Sequence, residues 1–232
     1  KKYAFRNDGR MVDGLKFILD DGTGLDVKAD DDESLPFDTE DDFDNSAIEY
    51  EKLGYKCYYF GGGDDGAMRT NKTTVDIDGD KFNFYFEKSG GNKGAGKTGE
   101  KDDKYYQSGK LIKAGSDEKY QIIYPVYKDP TAAKKELIGY TKYDDVKDLI
   151  GNGDHTQLFE SKPVTDANLS AYGINKKAKD VDELYVPLAG TTEHLLVNTS
   201  GKIMESNGKN KDGNDYNFVV KNKKVIAIYL EN

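Results

Sequence analysis

The amino-acid sequence predicts a mainly β fold, an irregular and solenoid-like array of β-hairpins and small antiparallel sheets with a short helical connector. Three observations support this prediction: a composition rich in Tyr, Phe and Gly, a repeated strand–turn–strand motif, and apolar residues that alternate along single segments. The 232 residues include 17 Tyr, 10 Phe and 25 Gly, but only 5 Pro and no Trp. Many short strands joined by tight turns account for such a composition.

The repeated motif combines an aromatic or apolar segment with a Gly-containing turn and a Met, Leu or Ile beyond that turn. Each copy predicts a strand, a turn and a short return strand, which together form a β-hairpin. The copies lie at residues 3–11, 58–68, 105–111 and 195–203.

Alternating apolar residues mark two further strands, at residues 82–86 and 216–220. A period of two is typical of an antiparallel strand that buries one face. The last segment, residues 225–230, is apolar on both faces, and we therefore expect it in the centre of its sheet.

We divide the chain into three parts on these patterns. A hairpin repeat region covers residues 1–125 and includes an acidic loop at residues 20–49. A helical or irregular connector covers residues 126–183, and a C-terminal hairpin module covers residues 184–232.

The connector is predicted to be helical because it contains start and stop signals of helices. Asp129 and Pro130 are typical of a helix start, since proline fits the first helical position. Gly151 and Gly173 follow two further short segments and are typical helix stops.

The acidic loop contains 13 acidic residues against one basic residue, Lys28, in a chain whose net charge is -9. This negative charge disfavours binding to nucleic acid, whose phosphates attract Lys and Arg. Because like charges repel and apolar residues are few, we expect the loop to be solvated and mobile. A calcium ion held by several of its carboxylates is the alternative.

The segment from residue 58 to residue 124 contains Tyr-Tyr-Phe at 58–60, Gly-Ala-Met-Arg-Thr at 66–70, an aromatic run that ends at residue 86, and Tyr-Tyr-Gln-Ser-Gly-Lys-Leu at 105–111. Through these motifs the segment bears a resemblance to the cell-wall-binding repeats of Gram-positive bacteria (Firmicutes), relatives of the choline- and glucan-binding repeats. The resemblance implies a secreted, extracellular protein of the cell wall whose hairpins bind wall polysaccharide or teichoic acid. Because the chain opens at Lys1 without Met or a signal peptide, we expect a processed or excised fragment.

The predicted glycan-binding residues are tyrosines, since a sugar ring presents a face of C–H groups that lies flat on an aromatic ring. The ligand positions of the family are typically Trp, and this Trp-less chain favours a glycan over choline. Alternation along the strands places five residues in the core: Tyr58, Phe60, Phe82, Phe84 and Phe86. It leaves four tyrosines as candidates for exposure and glycan binding: Tyr59, Tyr85, Tyr105 and Tyr106.

The expected function is therefore non-enzymatic adhesion to cell-wall polysaccharide at the cell surface, without a cofactor. Two alternatives remain: a purely structural spacer of a larger surface protein, and a wall hydrolase that uses carboxylates. No stretch of the sequence approaches 18 consecutive apolar residues, so we expect no membrane span.

Residues 91–98 match the P-loop pattern of nucleotide-binding proteins letter by letter. That pattern binds phosphate only where it precedes a helix, whose amino terminus directs its N–H groups at the ligand. The polar residues 99–104, which begin with Gly99, do not predict a helix. We therefore expect a flexible loop that binds no nucleotide.

A second pattern resembles a calcium-binding loop, with Asp76, Asp78, Asp80 and Glu87 at positions one, three, five and twelve. Lys81 occupies the position at which that loop needs glycine. A β-turn at Asp78 and Gly79 explains the same residues, and weak calcium binding is the alternative.

Cys57, His155 and His194 are the candidates for nucleophile–base chemistry. Cys57 lies next to an aromatic segment, where a buried and inert thiol is the usual state. We therefore predict no catalytic residue.

Overall fold

The computed structural model describes residues 1–28, 39–61, 65–151, 157–205, 211 and 215–232. The chain divides into two compact units. The first contains Lys1–Ile112 and Val126–Tyr140, and the second contains Lys113–Pro125 and Thr141–Asn232. The sequence analysis divided the chain into three parts, with boundaries at residues 125 and 183. The structure has two units instead, and each contains two separate segments of the chain.

The mainly β prediction is confirmed, and the strands pair antiparallel. In the described part of the first unit, strands form a sheet in the order β2-β1-β3 and a second sheet in the order β4-β5-β8-β7-β6. Their bounds are Leu15–Asp20 (β1), Leu25–Lys28 (β2), Lys56–Tyr59 (β3), Asn71–Ile77 (β4), Asp80–Phe86 (β5), Gly99–Lys101 (β6), Lys104–Gln107 (β7) and Lys110–Leu111 (β8).

In the remaining described residues the strands follow the order β10-β9-β13-β15-β12-β11, and β14 pairs with β15. The chain passes between the two units within β9 and again within β10. The central position predicted for the last apolar segment is confirmed, since β15 has β12, β13 and β14 as partners. The bounds are Tyr120–Tyr127 (β9), Leu137–Tyr143 (β10), Phe159–Ser161 (β11), Val181–Pro187 (β12), Leu195–Asn198 (β13), Tyr216–Lys221 (β14) and Lys224–Glu231 (β15).

The acidic segment contains a helix, α1 (Glu40–Leu53), where the sequence predicted a mobile loop through residue 49. The Thr39 side chain accepts a hydrogen bond from the Asp42 N–H, and Gly54 ends the helix with a φ of 95°. Three acidic residues in the first turn lie where the helix dipole favours negative charge. Residues 25–28 of the predicted loop form strand β2, paired with β1, and residues 29–38 lie outside the described residues.

A buried lysine stabilises the acidic helix. Lys110 is only 2% exposed, and its ammonium donates to the carboxylates of Glu40 and Asp44 on α1. It also lies over the rings of Phe43 and Phe82. The repulsion expected among the acidic residues is therefore offset by a cation contributed from a distant strand.

The helices predicted at the glycine stops are present, but the one predicted at Pro130 is not. α2 (Lys147–Ile150) ends directly before Gly151, and α3 (Asp166–Ala171) ends two residues before Gly173. Asp129 instead caps a turn, in which its carboxylate accepts from the backbone N–H and the hydroxyl of Thr131. Strand β10 follows this turn.

Candidate functional site

Three of the four predicted glycan-binding tyrosines are buried, so their predicted exposure is wrong. Tyr85, Tyr105 and Tyr106 are 4%, 5% and 4% exposed. Tyr85 packs against Tyr106, with ring centroids 5.9 Å apart, and Tyr105 packs against Tyr140 at 5.4 Å. Alternation predicted one solvated face on these strands, but aromatic residues cover both faces.

Tyr59, the fourth candidate, is half-buried. Its ring stacks on Phe86 at a centroid distance of 6.3 Å and an interplanar angle of 18°. One side of the ring therefore already has an aromatic partner in the core. The predicted core positions Phe60, Phe84 and Phe86 are confirmed as buried, whereas Tyr58 and Phe82 are half-buried.

Among the described residues, the most exposed aromatic side chains lie instead in the first copy of the repeat. Tyr3 is 45% exposed and Phe5 is 55% exposed. Ala4, between them, packs against the apolar cluster of Val12, Ile18 and Phe60. Because neighbouring residues of an extended segment point to opposite sides, Tyr3 and Phe5 share the side that faces away from this cluster. We call them the aromatic pair.

Backbone hydrogen bonds hold the aromatic pair on an ordered hairpin. The Val12 N–H donates to the Ala4 carbonyl at 2.9 Å, and the Met68 N–H donates to the Lys2 carbonyl at 2.8 Å. Phe5 and Met11 form an antiparallel bridge across the hairpin. The exposed ion pair of Arg10 with Asp8, whose atoms are 2.7 Å apart, supplies polar groups on the same hairpin.

A polar pocket of about 190 Å³ is the second candidate site in the first unit. We call it the Glu51 pocket, after the half-buried carboxyl group that contributes to its lining. The Thr98 and Ser108 hydroxyls both donate to Glu51 Oε1, at 2.8 and 2.9 Å. Burial raises the pKa of Glu51, while these two hydroxyls and the charge of Lys56 act in the opposite direction. The lining residues are Glu51, Lys56, Glu87, Asn92, Ala95, Gly96, Lys97, Thr98 and Glu136.

The P-loop-like residues 91–98 form a wall of the Glu51 pocket, a role that sequence reasoning missed. As predicted, no helix follows them, because strand β6 begins at Gly99. Backbone hydrogen bonds fix the segment: the Gly96 N–H donates to the Cys57 carbonyl at 2.7 Å, and the Lys97 N–H donates to the Tyr85 carbonyl at 3.0 Å. It is thus a hydrogen-bonded loop without the helix that phosphate binding requires.

The calcium candidates are not brought together. Asp78 and Gly79, with φ values of 53° and 82°, form the predicted tight turn between β4 and β5, and Asp76 accepts from the Gly79 N–H. Glu87 follows the far end of β5, where Lys97 lies 3.9 Å from its carboxylate. No group of three His, Cys, Asp or Glu residues that could hold a metal ion occurs among the described residues.

The predicted inert thiol is consistent with the structure, since Cys57 is fully buried and burial raises its pKa. His194, in the second unit, is also fully buried, and the centroid of its ring lies 4.8 Å from the ring centroids of both Tyr124 and Phe159. Burial lowers its pKa from 6.5 to about 4, while the Thr191 backbone acts in the opposite direction. His155 lies outside the described residues.

Comparison of the chain with protein-family models, curated proteins and solved structures found no match. Within the described residues, no helix is both long and apolar enough to cross a membrane.

Proposed function

We propose that this chain is a non-enzymatic cell-surface module that binds cell-wall polysaccharide through exposed aromatic rings. The observation that carries the proposal is the aromatic pair, Tyr3 and Phe5, on an ordered hairpin of the first unit. Each of the two residues is about half exposed, and the alternation of an extended segment places both side chains on the same side. Two neighbouring rings suit a polymer of sugar rings better than a single small ligand.

The physical basis is the affinity of aromatic faces for the C–H face of a sugar. A contact of this kind contributes about 1 kcal/mol, comparable with other aromatic contacts. Two such contacts give only weak binding, so adhesion to a wall requires several modules acting together. The proposal therefore places the hairpins in a longer, solenoid-like array of a secreted Gram-positive surface protein, as the resemblance to cell-wall-binding repeats implies.

Burial of Tyr85, Tyr105 and Tyr106 favours a second candidate function, that of a structural spacer. In that case the repeats supply packing between hairpins, and the aromatic pair contacts a neighbouring repeat instead of a glycan. The two functions differ in whether an isolated chain retains any affinity for wall polymer.

The test is co-sedimentation of the purified chain with purified Gram-positive cell walls, followed by assay of the supernatant for newly released reducing sugar. The proposal expects saturable co-sedimentation without sugar release. A chain that stays in the supernatant while its thermal melt is cooperative would support the spacer. Release of reducing sugar that increases with time would support the wall hydrolase, for which the carboxyl groups of the Glu51 pocket would be the first residues to replace.

A further inference from the structure

The Glu51 pocket is ordered before any ligand arrives. The Gly94 N–H donates to the Glu87 carbonyl at 2.8 Å, and the Gly109 N–H donates to the Lys97 carbonyl at 2.8 Å, so that both ends of the wall are fixed to neighbouring segments. A Cβ atom on Gly96 would lie 2.3 Å from the Ser108 carbonyl oxygen, so glycine alone permits this close approach. A wall that is already ordered loses little entropy when a ligand binds.

One oxygen of Glu51 remains available to a ligand. Oε1 accepts from Thr98 and Ser108, and the Thr98 hydroxyl in turn accepts from the Ser108 N–H at 2.9 Å. Oε2 has no hydrogen-bond partner among the described residues. Oε2 is not among the buried side-chain atoms that lack a partner, so it is open to the pocket, where a ligand hydroxyl can donate to it in place of water.

The rest of the lining supplies both donors and acceptors. The Lys56 ammonium donates to the side-chain oxygen of Asn92, whose NH₂ group is a further donor. Lys97 and Glu87 form a loose ion pair at 3.9 Å, and Glu136 adds a carboxylate to the lining. A ligand whose groups both donate and accept, closely spaced on a compact frame, matches this lining better than an apolar ligand or a simple anion does.

We propose that the Glu51 pocket binds a single sugar ring through its hydroxyl groups, with Glu51 Oε2 as the central acceptor. The volume of about 190 Å³ is below the range of about 300–1,000 Å³ for drug-sized ligands, which suits one sugar ring inside the pocket. The inference rests on the proposed function, in that it identifies the ligand as a unit of the wall polymer. The aromatic pair would then contribute affinity for sugar faces, and the Glu51 pocket would select the arrangement of hydroxyls.

The test is an NMR titration of the full chain with glucose, galactose and N-acetylglucosamine, each added separately to millimolar concentration. We expect at least one sugar to shift the backbone amide signals of Gly94, Gly96 and Lys97 in a saturable manner. In Glu51→Gln we expect about tenfold weaker binding, because the amide oxygen keeps the Thr98 and Ser108 hydroxyls and Oε2 is replaced by an NH₂ group, which cannot accept a hydrogen bond from the ligand. Glu49→Gln is the matched control, since Glu49 is exposed on the same helix, and it should bind like the parent chain.

Asn92→Ala supplies an independent test on the exposed side of the pocket, where folding is not at risk. It should weaken binding of the same sugar severalfold. Absence of amide shifts with all three sugars, or equal affinity in the parent chain and Glu51→Gln, would overturn the inference. If walls sediment the chain but no sugar shifts these amides, the pocket inference fails while the proposed function stands. Amide shifts without sedimentation would instead retain the sugar pocket and refute the adhesion proposal.

Discussion

Replacement of His194 by Phe should remove a large part of the acid sensitivity of the protein. In the folded chain the pKa of His194 is lowered from 6.5 to about 4, because its ring is buried among aromatic residues. Between pH 6.5 and pH 4 the His194 ring is therefore protonated in the unfolded chain but neutral in the folded chain. The free energy of unfolding falls over this window, by about 2.5 kcal/mol between pH 7 and pH 4.5, since each pH unit is worth about 1.4 kcal/mol.

The groups around the ring do not reverse this expectation. Tyr124 and Tyr143 face His194 at centroid distances of 4.8 and 6.3 Å, and burial raises the pKa of both tyrosines, so they remain neutral in this window. The Phe variant keeps an aromatic ring among these neighbours but cannot be protonated.

The assay is urea denaturation of the parent chain and His194→Phe at several pH values from 4.5 to 7.5. As the pH falls from 7 to 4.5, the free energy of unfolding of the parent chain should decrease by about 2.5 kcal/mol relative to that of His194→Phe. The NMR signal of the ring Cε1 proton gives the pKa of His194 directly in the parent chain. Parallel stability curves for the two chains, or a ring that titrates near pH 6.5, would refute the reasoning.

Three further predictions concern the first unit. Phe84→Ala should lower the free energy of unfolding, measured by urea denaturation, by about 3–5 kcal/mol, because Phe84 is only 1% exposed and its removal leaves a cavity. Phe5→Ala, at an exposed position, should change the free energy of unfolding little. Equal effects of the two substitutions would contradict the assigned core. Lys110→Met should lower the free energy of unfolding by about 3 kcal/mol, because the carboxylates of Glu40 and Asp44 lose a buried ammonium partner. The control is Lys113→Met, since Lys113 is exposed. Equal stability of the two variants would show that the ion pair does not stabilise the fold. Millimolar magnesium-ATP or magnesium-GTP should not shift the melting temperature, and a stabilisation that Lys97→Ala abolishes would contradict the loop assignment.

Local patterns in the sequence were sufficient to predict part of the β structure, but the hairpin predicted at residues 58–68 is not present, because β3 pairs with β1. Period-two alternation predicted β5, the turn at Asp78 and Gly79 was also predicted, and the apolar last segment predicted the central position of β15. These features depend on residues close together in the chain, and the pattern of apolar and turn-forming residues in the sequence is therefore enough to predict them.

Features that depend on distant partners were missed. Helix α1 was taken for a mobile loop because the cation that pairs with Glu40 is Lys110, 70 residues away. Tyr105 was expected at the surface because alternation does not reveal that Tyr140 covers it. The aromatic pair could have been found from the small residue Ala4 between two aromatic residues, a pattern that points both rings to the same side.

The affinity of the aromatic pair for cell walls tests the central claim most directly. Binding isotherms with purified Gram-positive walls should be measured for the parent chain, the double variant Tyr3→Ala/Phe5→Ala, and Leu53→Ala. Leu53 is the matched control, since it is an apolar side chain of the same unit and 59% exposed. Loss of two ring contacts of about 1 kcal/mol each predicts at least about tenfold weaker binding for the double variant, with an unchanged melting temperature. Equal affinities of all three chains for the walls would contradict the claim that these rings bind the polymer.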